Sequence, residues 1–248
     1  MTYSVLMYHE LREARDFDPE RPSPIDVRQS YNDVLPSLLF VTVEQFTEQM
    51  AYLHEQNYYT LSLEEIRQHY ATGKPLPERS VLLTFDDCFQ SVRTYALPVL
   101  RQYGMRAVAF VVTGWLHDQA RAFDPHKSVC MASSELADMT DVFEFANHTD
   151  SMHRRYGPEA SDLLQSDDAA LAADLEQCNA HPVIQAGDVF AYPFGLYDAR
   201  NIDVLRQAGF KLAFTTEPGR NGLDSEPLRL RRNVVPYLMD MERFKQIL

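Results

Sequence analysis

The stretch Leu82-Leu83-Thr84-Phe85-Asp86-Asp87-Cys88 places two adjacent carboxylates directly after a run of mostly apolar residues. A continuous run of this kind is typical of a strand that is buried on both faces, as in a parallel sheet. Because sites in α/β folds gather at the carboxyl ends of strands, we expect Asp86 and Asp87 to lie at such a site. One carboxylate is then free to bind a metal ion while the other acts as a base. The alternative is a pair of helix-capping aspartates.

The rest of the chain alternates short apolar runs with amphipathic stretches. The predicted strands are 4–8, 80–85, 107–113, 142–146, 189–192, 212–215 and 228–235. The predicted helices are 43–56, 63–70, 91–103, 160–179 and 201–207. Ser62 and Glu65 have the spacing of a capping box at the start of the second helix. Alternating strands and helices predict an α/β fold with a parallel sheet or barrel.

Two segments, 12–36 and 117–134, have little periodicity and are predicted to be long loops. Loops of this length inside a compact domain are either functional lids or plain insertions, and both readings stay open here. The length of 248 residues is ordinary for one α/β barrel, so we expect a single catalytic domain over residues 1–248.

The composition, with 45% hydrophobic and 24% charged residues, is that of a globular protein. A net charge of −13 argues against a nucleic-acid partner, because proteins that bind nucleic acids usually carry a basic patch. The three cysteines are too few and too widely spaced for a disulfide framework. The N-terminus lacks the basic and apolar regions of a signal peptide. We therefore expect a cytoplasmic protein without a membrane span.

A second group of polar residues, Asn147-His148-Thr149-Asp150-Ser151-Met152-His153, follows the predicted strand 142–146. The two histidines are five residues apart, which is a poor spacing for one face of a helix. The spacing suits a loop or first turn that curls around an ion, and imidazole is the most common protein ligand of zinc-like metals. The alternative is two unrelated surface histidines.

Two further strand ends carry groups of interest. Tyr192-Pro193-Phe194-Gly195 is a tight turn of the kind that can present a backbone N–H to an oxyanion, although it can also be an ordinary strand-to-loop turn. His9 directly follows the first predicted strand, and a lone histidine at such a position is usually structural or merely exposed. Together the four strand ends supply metal ligands, a spare carboxylate, a spare imidazole and an oxyanion turn. A metal-assisted amide hydrolase needs this combination.

These motifs resemble those of the polysaccharide deacetylase (NodB-homology) family. Thr84-Phe85-Asp86-Asp87, the segment from His148 to His153, and Tyr192-Pro193-Phe194-Gly195 are similar to the family's first three motifs, in the same order. The opening Met7-Tyr8-His9 looks most like the branch that deacetylates poly-N-acetylglucosamine exopolysaccharide. The resemblance implies a distorted (β/α) barrel with about seven parallel strands.

The resemblance also implies roles for individual residues. Asp87, His148 and His153 would bind one divalent metal, usually zinc, with cobalt, nickel or iron as alternatives. Asp86 would be the general base, and His9 the general acid. Phe194 would donate its backbone N–H to the oxyanion. The rest of that turn, Tyr192, Pro193 and Gly195, would support it or contact the substrate.

The sequence departs from the family pattern at three points. Cys88 stands where the family usually has glycine, so its thiol is either a further soft ligand or inert packing. The arginine that commonly precedes the Pro-aromatic-Gly motif is missing, and we take Arg231 or Arg232 as the replacement that holds Asp86. No histidine follows His181, so the late general-acid motif is absent and His9 is left to fill that role.

The expected function is metal-dependent removal of acetyl groups from N-acetylated sugars or polysaccharide. Two other enzymatic readings keep the same scaffold: hydrolysis of acetyl esters, and deacetylation of a small intracellular N-acetyl sugar conjugate. A different class is an inactive carbohydrate-binding protein. The intact set of Asp86, Asp87, His148 and His153 argues against that class.

Overall fold

A computed structural model describes residues 2–31 and 33–248. The predicted domain and the predicted loop 12–36 include Met1 and Asn32, respectively, which lie outside the described residues. The main sheet contains strands β1 (Tyr3–Tyr8), β2 (Tyr59–Thr60), β3 (Ser80–Asp86), β4 (Ala107–Val111), β5 (Phe143–Asn147), β6 (Ala186–Ala191), β7 (Leu212–Phe214), β8 (Arg220–Asn221) and β9 (Asn233–Val234).

Seven of these strands follow one another across the sheet in the order β7-β6-β5-β4-β3-β1-β8, while β2 pairs with β3 and β9 with β1. Neighbouring strands are parallel except for β1 and β8. Every residue of β1 and β3 is buried, as continuous apolar runs predict for strands covered on both faces. The prediction of a distorted barrel with about seven parallel strands is confirmed, with the one antiparallel neighbour β8 as the exception.

The two ends of the curled sheet are linked by the segment that follows β8. Leu230 forms a single bridge with Phe214 of β7, and β9 then pairs with β1. The prediction of one strand over 228–235 is wrong, because the segment begins with a helical turn at Pro227–Arg229 and then pairs with two different strands in succession. This linkage brings Arg232 to the carboxyl end of β3.

The helices are α1 (Val43–Glu55), α2 (Leu63–Thr72), α3 (Leu97–Tyr103), α4 (Ser133–Ala137), α5 (Asp162–Gln165), α6 (Asp168–Asn179), α7 (Ala199–Gln207) and α8 (Met241–Gln246). The capping box of Ser62 and Glu65 at the start of α2 is present as predicted. A π-helical turn, Val92–Ala96, precedes α3 inside the predicted helix 91–103. Within residues 2–31 and 33–248, no helix has the length and apolar character that crossing a membrane requires.

The predicted helix 160–179 is divided into α5 and α6. Ser166 has an extended backbone, and the Asp167 side chain accepts a hydrogen bond from the Ala170 N–H at 2.8 Å. Short polar side chains such as these compete with the helical backbone and favour caps, which explains the break. The first residues of the prediction, Ala160–Ser161, pair instead with Arg155–Gly157 in a small hairpin.

The two predicted loops contain short strands and pack against each other. Ser23–Asp26 pairs with Val34–Leu35 on one side and with Ser128–Val129 on the other. At the start of the first loop, Glu10–Arg12 pairs with Phe40–Thr42. These ladders fix both segments over the carboxyl ends of the main strands, where Ile25, Tyr31 and residues between 33 and 39 form one wall of a cavity.

Candidate metal centre and active-site cavity

A cavity of about 290 Å³ lies at the carboxyl ends of β1, β3, β5 and β6. These strands end at Tyr8, Asp86, Asn147 and Ala191, so the chemically active residues are the last residue of a strand or follow it closely. The cavity brings together eight of the residues that the sequence singled out: His9, Asp86, Asp87, His148, His153, Tyr192, Phe194 and Arg232.

Three side chains in this cavity have the geometry of a metal-binding group. One potential ligand atom from each of Asp87, His148 and His153 lies within 4.8 Å of the other two. The Asp87 Oδ1 atom is 3.4 Å from His153 Nε2 and 3.8 Å from His148 Nε2. This oxygen is buried and has no hydrogen-bond partner among the described residues. A buried carboxylate oxygen without a donor is costly, and a bound cation would satisfy it.

The charges around these ligands also favour a cation. Burial, together with the neighbouring Asp86, raises the pKa of Asp87 well above its ordinary value. The ionised form of Asp87 is therefore unfavourable here unless a positive charge, such as a metal ion, lies beside it. Burial lowers the pKa of His148 and of His153, so both imidazoles are held neutral, as metal ligands must be. His148 Nδ1 lies 2.7 Å from the Ala191 carbonyl oxygen. A proton on Nδ1 would donate to that carbonyl and leave the Nε2 lone pair free for a metal.

The loop that carries both histidines is held by residues that the sequence analysis missed. Asp174, a buried residue of α6, accepts hydrogen bonds from the Asp150 N–H at 2.9 Å and from the Ser151 N–H and hydroxyl at 2.8 Å each. Asn147 accepts from the Thr149 N–H at 2.8 Å. Asn147 stands inside the quoted motif and could have been noticed, whereas nothing in the sequence near Asp174 indicates its role.

Asp86 forms a buried ion pair with Arg232. The guanidinium donates from Nη1 to Oδ1 at 2.7 Å and from Nη2 to Oδ2 at 2.9 Å. Burial alone would raise the pKa of Asp86, but Arg232, together with His148 and His9, outweighs it and holds the pKa well below its ordinary value. Asp86 is therefore a carboxylate at neutral pH. Of the two predicted arginines, Arg232 holds it, while Arg231 is exposed and lies outside the cavity.

His9 lies beside this carboxylate, with Nε2 at 3.8 Å from Asp86 Oδ2. Its ring is buried, and in the part of the chain that the structure describes its Nδ1 has no hydrogen-bond partner. Burial lowers the pKa of His9 to about 4 in spite of the attraction of Asp86. His9 is thus a neutral imidazole at neutral pH, within reach of a proton carried by Asp86.

The turn after β6 has an unusual backbone. Phe194 adopts a left-handed conformation with φ of 59° and ψ of 5°, and Gly195 follows with φ of 70°. A Cβ atom at Gly195 would lie 1.9 Å from Thr216 Oγ1, so this position requires glycine. The Phe194 ring packs 4.4 Å from the His153 ring, which places this residue in the cavity wall next to a candidate ligand. Strained backbone of this kind is often found at functional sites.

The remaining residues of this turn support it. The Tyr192 hydroxyl donates to the Leu228 carbonyl at 2.9 Å, and its ring stacks on Tyr197 with centroids 4.4 Å apart. The Tyr192 side chain is buried by these contacts, which favours the supporting role over stacking on a sugar. Pro193 is the first residue of the helical turn Pro193–Gly195, where a fixed φ is favourable.

The backbone conformation at Cys88 is one that favours glycine. Cys88 has φ of 55° and Asp87 has φ of 71°, so the chain turns through two left-handed residues immediately after β3. The Cys88 thiol is buried and donates a hydrogen bond to the Phe110 carbonyl at 3.8 Å. The metal-binding group found among the described residues does not include it. Of the two readings, the structure favours inert packing.

The site has the composition of a mononuclear metal hydrolase: two histidines and one carboxylate as ligands, a second carboxylate, and a further imidazole. A sequence model of the family described as polysaccharide deacetylase matches residues 73–213, which is more than half of the chain. The chain belongs to the polysaccharide deacetylase family, whose members are hydrolases acting on the amide of N-acetylated sugars.

Several curated proteins are similar to this chain. A poly-beta-1,6-N-acetyl-D-glucosamine N-deacetylase of Staphylococcus aureus (strain MRSA252) is 29% identical over 182 residues, which cover 71% of this chain and 61% of that protein. The enzyme of the same name from Staphylococcus epidermidis is 26% identical over 200 residues, covering 79% of this chain and 68% of the relative. The matched region thus spans less than two thirds of the length of the Staphylococcus aureus relative.

Solved structures share the fold. The deacetylase PplD of Streptococcus pyogenes, in complex with acetate, superposes with a TM-score of 0.78 at 22% identity and covers 100% of this chain and 98% of its own. IcaB from Ammonifex degensii superposes with a TM-score of 0.73 at 21% identity, covering 99% of this chain and 95% of its own. At these identities the likeness establishes the architecture alone, and the substrate has to be inferred from the residues of the site.

Proposed function

We propose that this protein is a metal-dependent de-N-acetylase that hydrolyses the acetamido group of an N-acetylated sugar to acetate and a free amine. The observation that carries the proposal is the convergence, in one cavity, of the Asp87, His148 and His153 ligand atoms with a separate carboxylate held by an arginine. The ligands also suit cobalt, nickel or iron, but a two-nitrogen, one-oxygen set in a buried site fits zinc best.

When bound by Asp87, His148 and His153, the metal would polarise the acetyl carbonyl and make a water molecule more acidic. Asp86 is the base that takes a proton from the attacking water, since Arg232 keeps it ionised and aligned by two hydrogen bonds. Phe194 contributes its backbone N–H to the oxyanion, which the left-handed turn beside His153 supports.

His9 donates the proton that the amine needs on leaving. An amide requires this proton more than an ester does, because an amide anion is a poor leaving group. His9 is neutral at neutral pH, so the proton it delivers is one it receives during turnover. Asp86 Oδ2, 3.8 Å from His9 Nε2, is placed to pass on the proton taken from the water.

As the substrate class we propose N-acetylglucosamine in a β-1,6-linked polymer. Two observations support it: the curated relatives from both Staphylococcus species carry that activity in their names, and the opening Met7-Tyr8-His9 places the histidine next to Asp86. A net charge of −13 is compatible with a substrate that is neutral before the reaction.

The test is acetate release from N-acetylglucosamine oligomers by the wild-type protein and by Asp86→Asn. We expect chelator-sensitive acetate release from the wild type. Asp86→Asn should bind metal normally and lose activity by at least about a hundredfold, the usual contribution of a general base. Wild-type turnover in Asp86→Asn would exclude Asp86 as the base, and the absence of acetate release from any N-acetylated sugar would exclude the proposed reaction.

A further inference from the structure

A second cavity borders the active-site cavity. The second cavity, of about 450 Å³, is lined by Ser30, Tyr31, Asp33, Arg154, Arg155 and Gly157. Three of these residues, Tyr31, Asp33 and Arg155, also line the active-site cavity. The two spaces therefore meet at a common wall, one side from the segment before α1 and the other from the hairpin of Arg155–Gly157 and Ala160–Ser161.

An ion pair between Asp33 and Arg155 forms this wall. Arg155 Nε donates to Asp33 Oδ2 at 2.9 Å, and the side chains are 40% and 32% exposed, so both remain accessible from the cavities. An ion pair with this exposure contributes little to stability. Its position is better explained by a role in binding than by a role in folding.

Arg155 also contacts the catalytic turn. Its guanidinium carbon lies 5.5 Å from the centroid of the Phe194 ring, within the range of a cation–π contact. The Phe194 ring in turn packs on the ring of His153. A group that binds Arg155 from the second cavity therefore acts on the residue whose backbone N–H faces the developing oxyanion in the proposed reaction.

The chemistry of the wall suits a neutral sugar. Asp33 balances the charge of Arg155, and the pair offers acceptors and donors side by side, as hydroxyl and acetamido groups require. Tyr31 adds an aromatic ring that lines both cavities and is held against Trp115, with ring centroids 4.7 Å apart. Pockets that combine aromatic walls with a few placed polar groups are typical of small-molecule recognition.

We propose that Asp33, Arg155 and Tyr31 bind the sugar unit next to the one being deacetylated. Binding of this sugar unit affects the turn at Phe194 through the contact of Arg155 with the Phe194 ring. This inference rests on the proposed function and names the residues that bind the unit beside the reacting sugar. Since binding energy from a non-reacting part of a substrate can be used at the reacting centre, the neighbouring unit should raise kcat and not only lower KM.

The experiment compares two substrates, the methyl glycoside of N-acetylglucosamine and the β-1,6-linked N-acetylglucosamine pentamer, using acetate release as the readout. The variants are Asp33→Asn and Arg155→Gln. The matched control is Arg121→Gln, because the Arg121–Asp26 pair has the same 2.9 Å distance and similar exposure, 52% and 33%, but lies outside both cavities.

For wild type and Arg121→Gln, we expect a kcat on the pentamer about tenfold higher than the kcat on the methyl glycoside. One or two additional hydrogen bonds from the neighbouring sugar would produce a difference of this size. In Asp33→Asn and Arg155→Gln the pentamer should lose this advantage, so that the ratio of the two kcat values falls to within about twofold of one. Equal losses on both substrates, or an unchanged pentamer rate, would overturn the neighbouring-sugar site. No acetate from either substrate with the wild type would overturn the proposed function, and this site with it.

Discussion

Arg232 and Asp86 are 146 residues apart in the chain and form a buried, two-point ion pair at the carboxyl end of β3. Two-point hydrogen bonding between a planar guanidinium and a carboxylate is strong, and it fixes the orientation of the carboxylate as well as its charge. The segment that links the two ends of the sheet supplies the arginine. The segment that links the two ends of the sheet therefore also supplies the group that keeps the proposed base ionised.

Replacing Arg232 by lysine should weaken catalysis and move its pH dependence. Lysine cannot make the two-point contact, so its hold on the carboxylate weakens and the pKa of Asp86 rises from its lowered value. We expect kcat/KM at pH 7 to fall about tenfold and its acidic limb to shift to higher pH. The pH–rate profile of acetate release measures both, with Arg231→Lys as the exposed neighbouring control. An unchanged acidic limb would show that Arg232 does not control the ionisation of Asp86.

Replacing His9 should separate amide from ester substrates. Because an activated acetyl ester needs no proton on its leaving group, His9→Gln should slow amide hydrolysis at least about a hundredfold more than ester hydrolysis. The measurement is kcat for an N-acetylglucosamine oligomer and for an activated acetyl ester, with the exposed His126→Gln as control. Equal losses on the two substrates would exclude His9 as the proton donor.

Asp174 should influence metal binding without touching the metal. Asp174→Asn removes one acceptor from the loop that presents His148 and His153, so we expect metal affinity to fall about 10- to 100-fold. Competition with a chromophoric chelator gives the affinity. The control is Glu176→Gln on the exposed face of the same helix. Equal affinities for the two variants would show that the loop holds its shape without Asp174.

Glu10 should make stability depend on pH. Burial raises the pKa of Glu10 to about 7, although Arg12 opposes this, and the unfolded pKa is 4.5. Between these values the folded state retains a proton that the unfolded state has lost, so stability falls as pH rises from about 4.5 to about 7. Glu10→Gln removes the effect. Its stability relative to wild type should be about 3 kcal/mol more favourable at pH 8 than at pH 4.

Denaturant unfolding of wild type and Glu10→Gln at the two pH values measures this difference. A stability difference that is the same at pH 4 and pH 8 would show that Glu10 ionises normally in the folded protein. Such a result would leave the assignment of the metal ligands unchanged, because Glu10 is not one of them.

The strands that carry the site could be predicted from the sequence, because continuous apolar runs and the polar residues that follow them are local features. Asp86, Asp87, His148 and Phe194 lie at or just beyond strand ends, and parallel strands bring those ends to one edge. The break between α5 and α6 was missed, since the capping of Asp167 competes with a helical pattern on both sides of it.

Contacts between distant segments could not be predicted in the same way. The sequence offered Arg231 and Arg232 as equals, and only the path of the chain between β7 and β1 places Arg232 on Asp86. Asp174 holds the histidine loop from a helix, across 24 residues, without a local signal. The Asp33–Arg155 pair spans 122 residues and joins a predicted loop to a short hairpin strand, and neither segment has a periodic sequence pattern.

The most direct test of the metal centre is the metal content of the purified protein by elemental analysis, before and after chelation and after zinc is added back. We expect about one metal ion per wild-type chain, lost on chelation and restored by zinc, and almost none in Asp87→Asn, because Asp87 contacts both histidines. A wild-type chain that takes up no metal, even after zinc or cobalt is added, would contradict the assignment of Asp87, His148 and His153 as ligands.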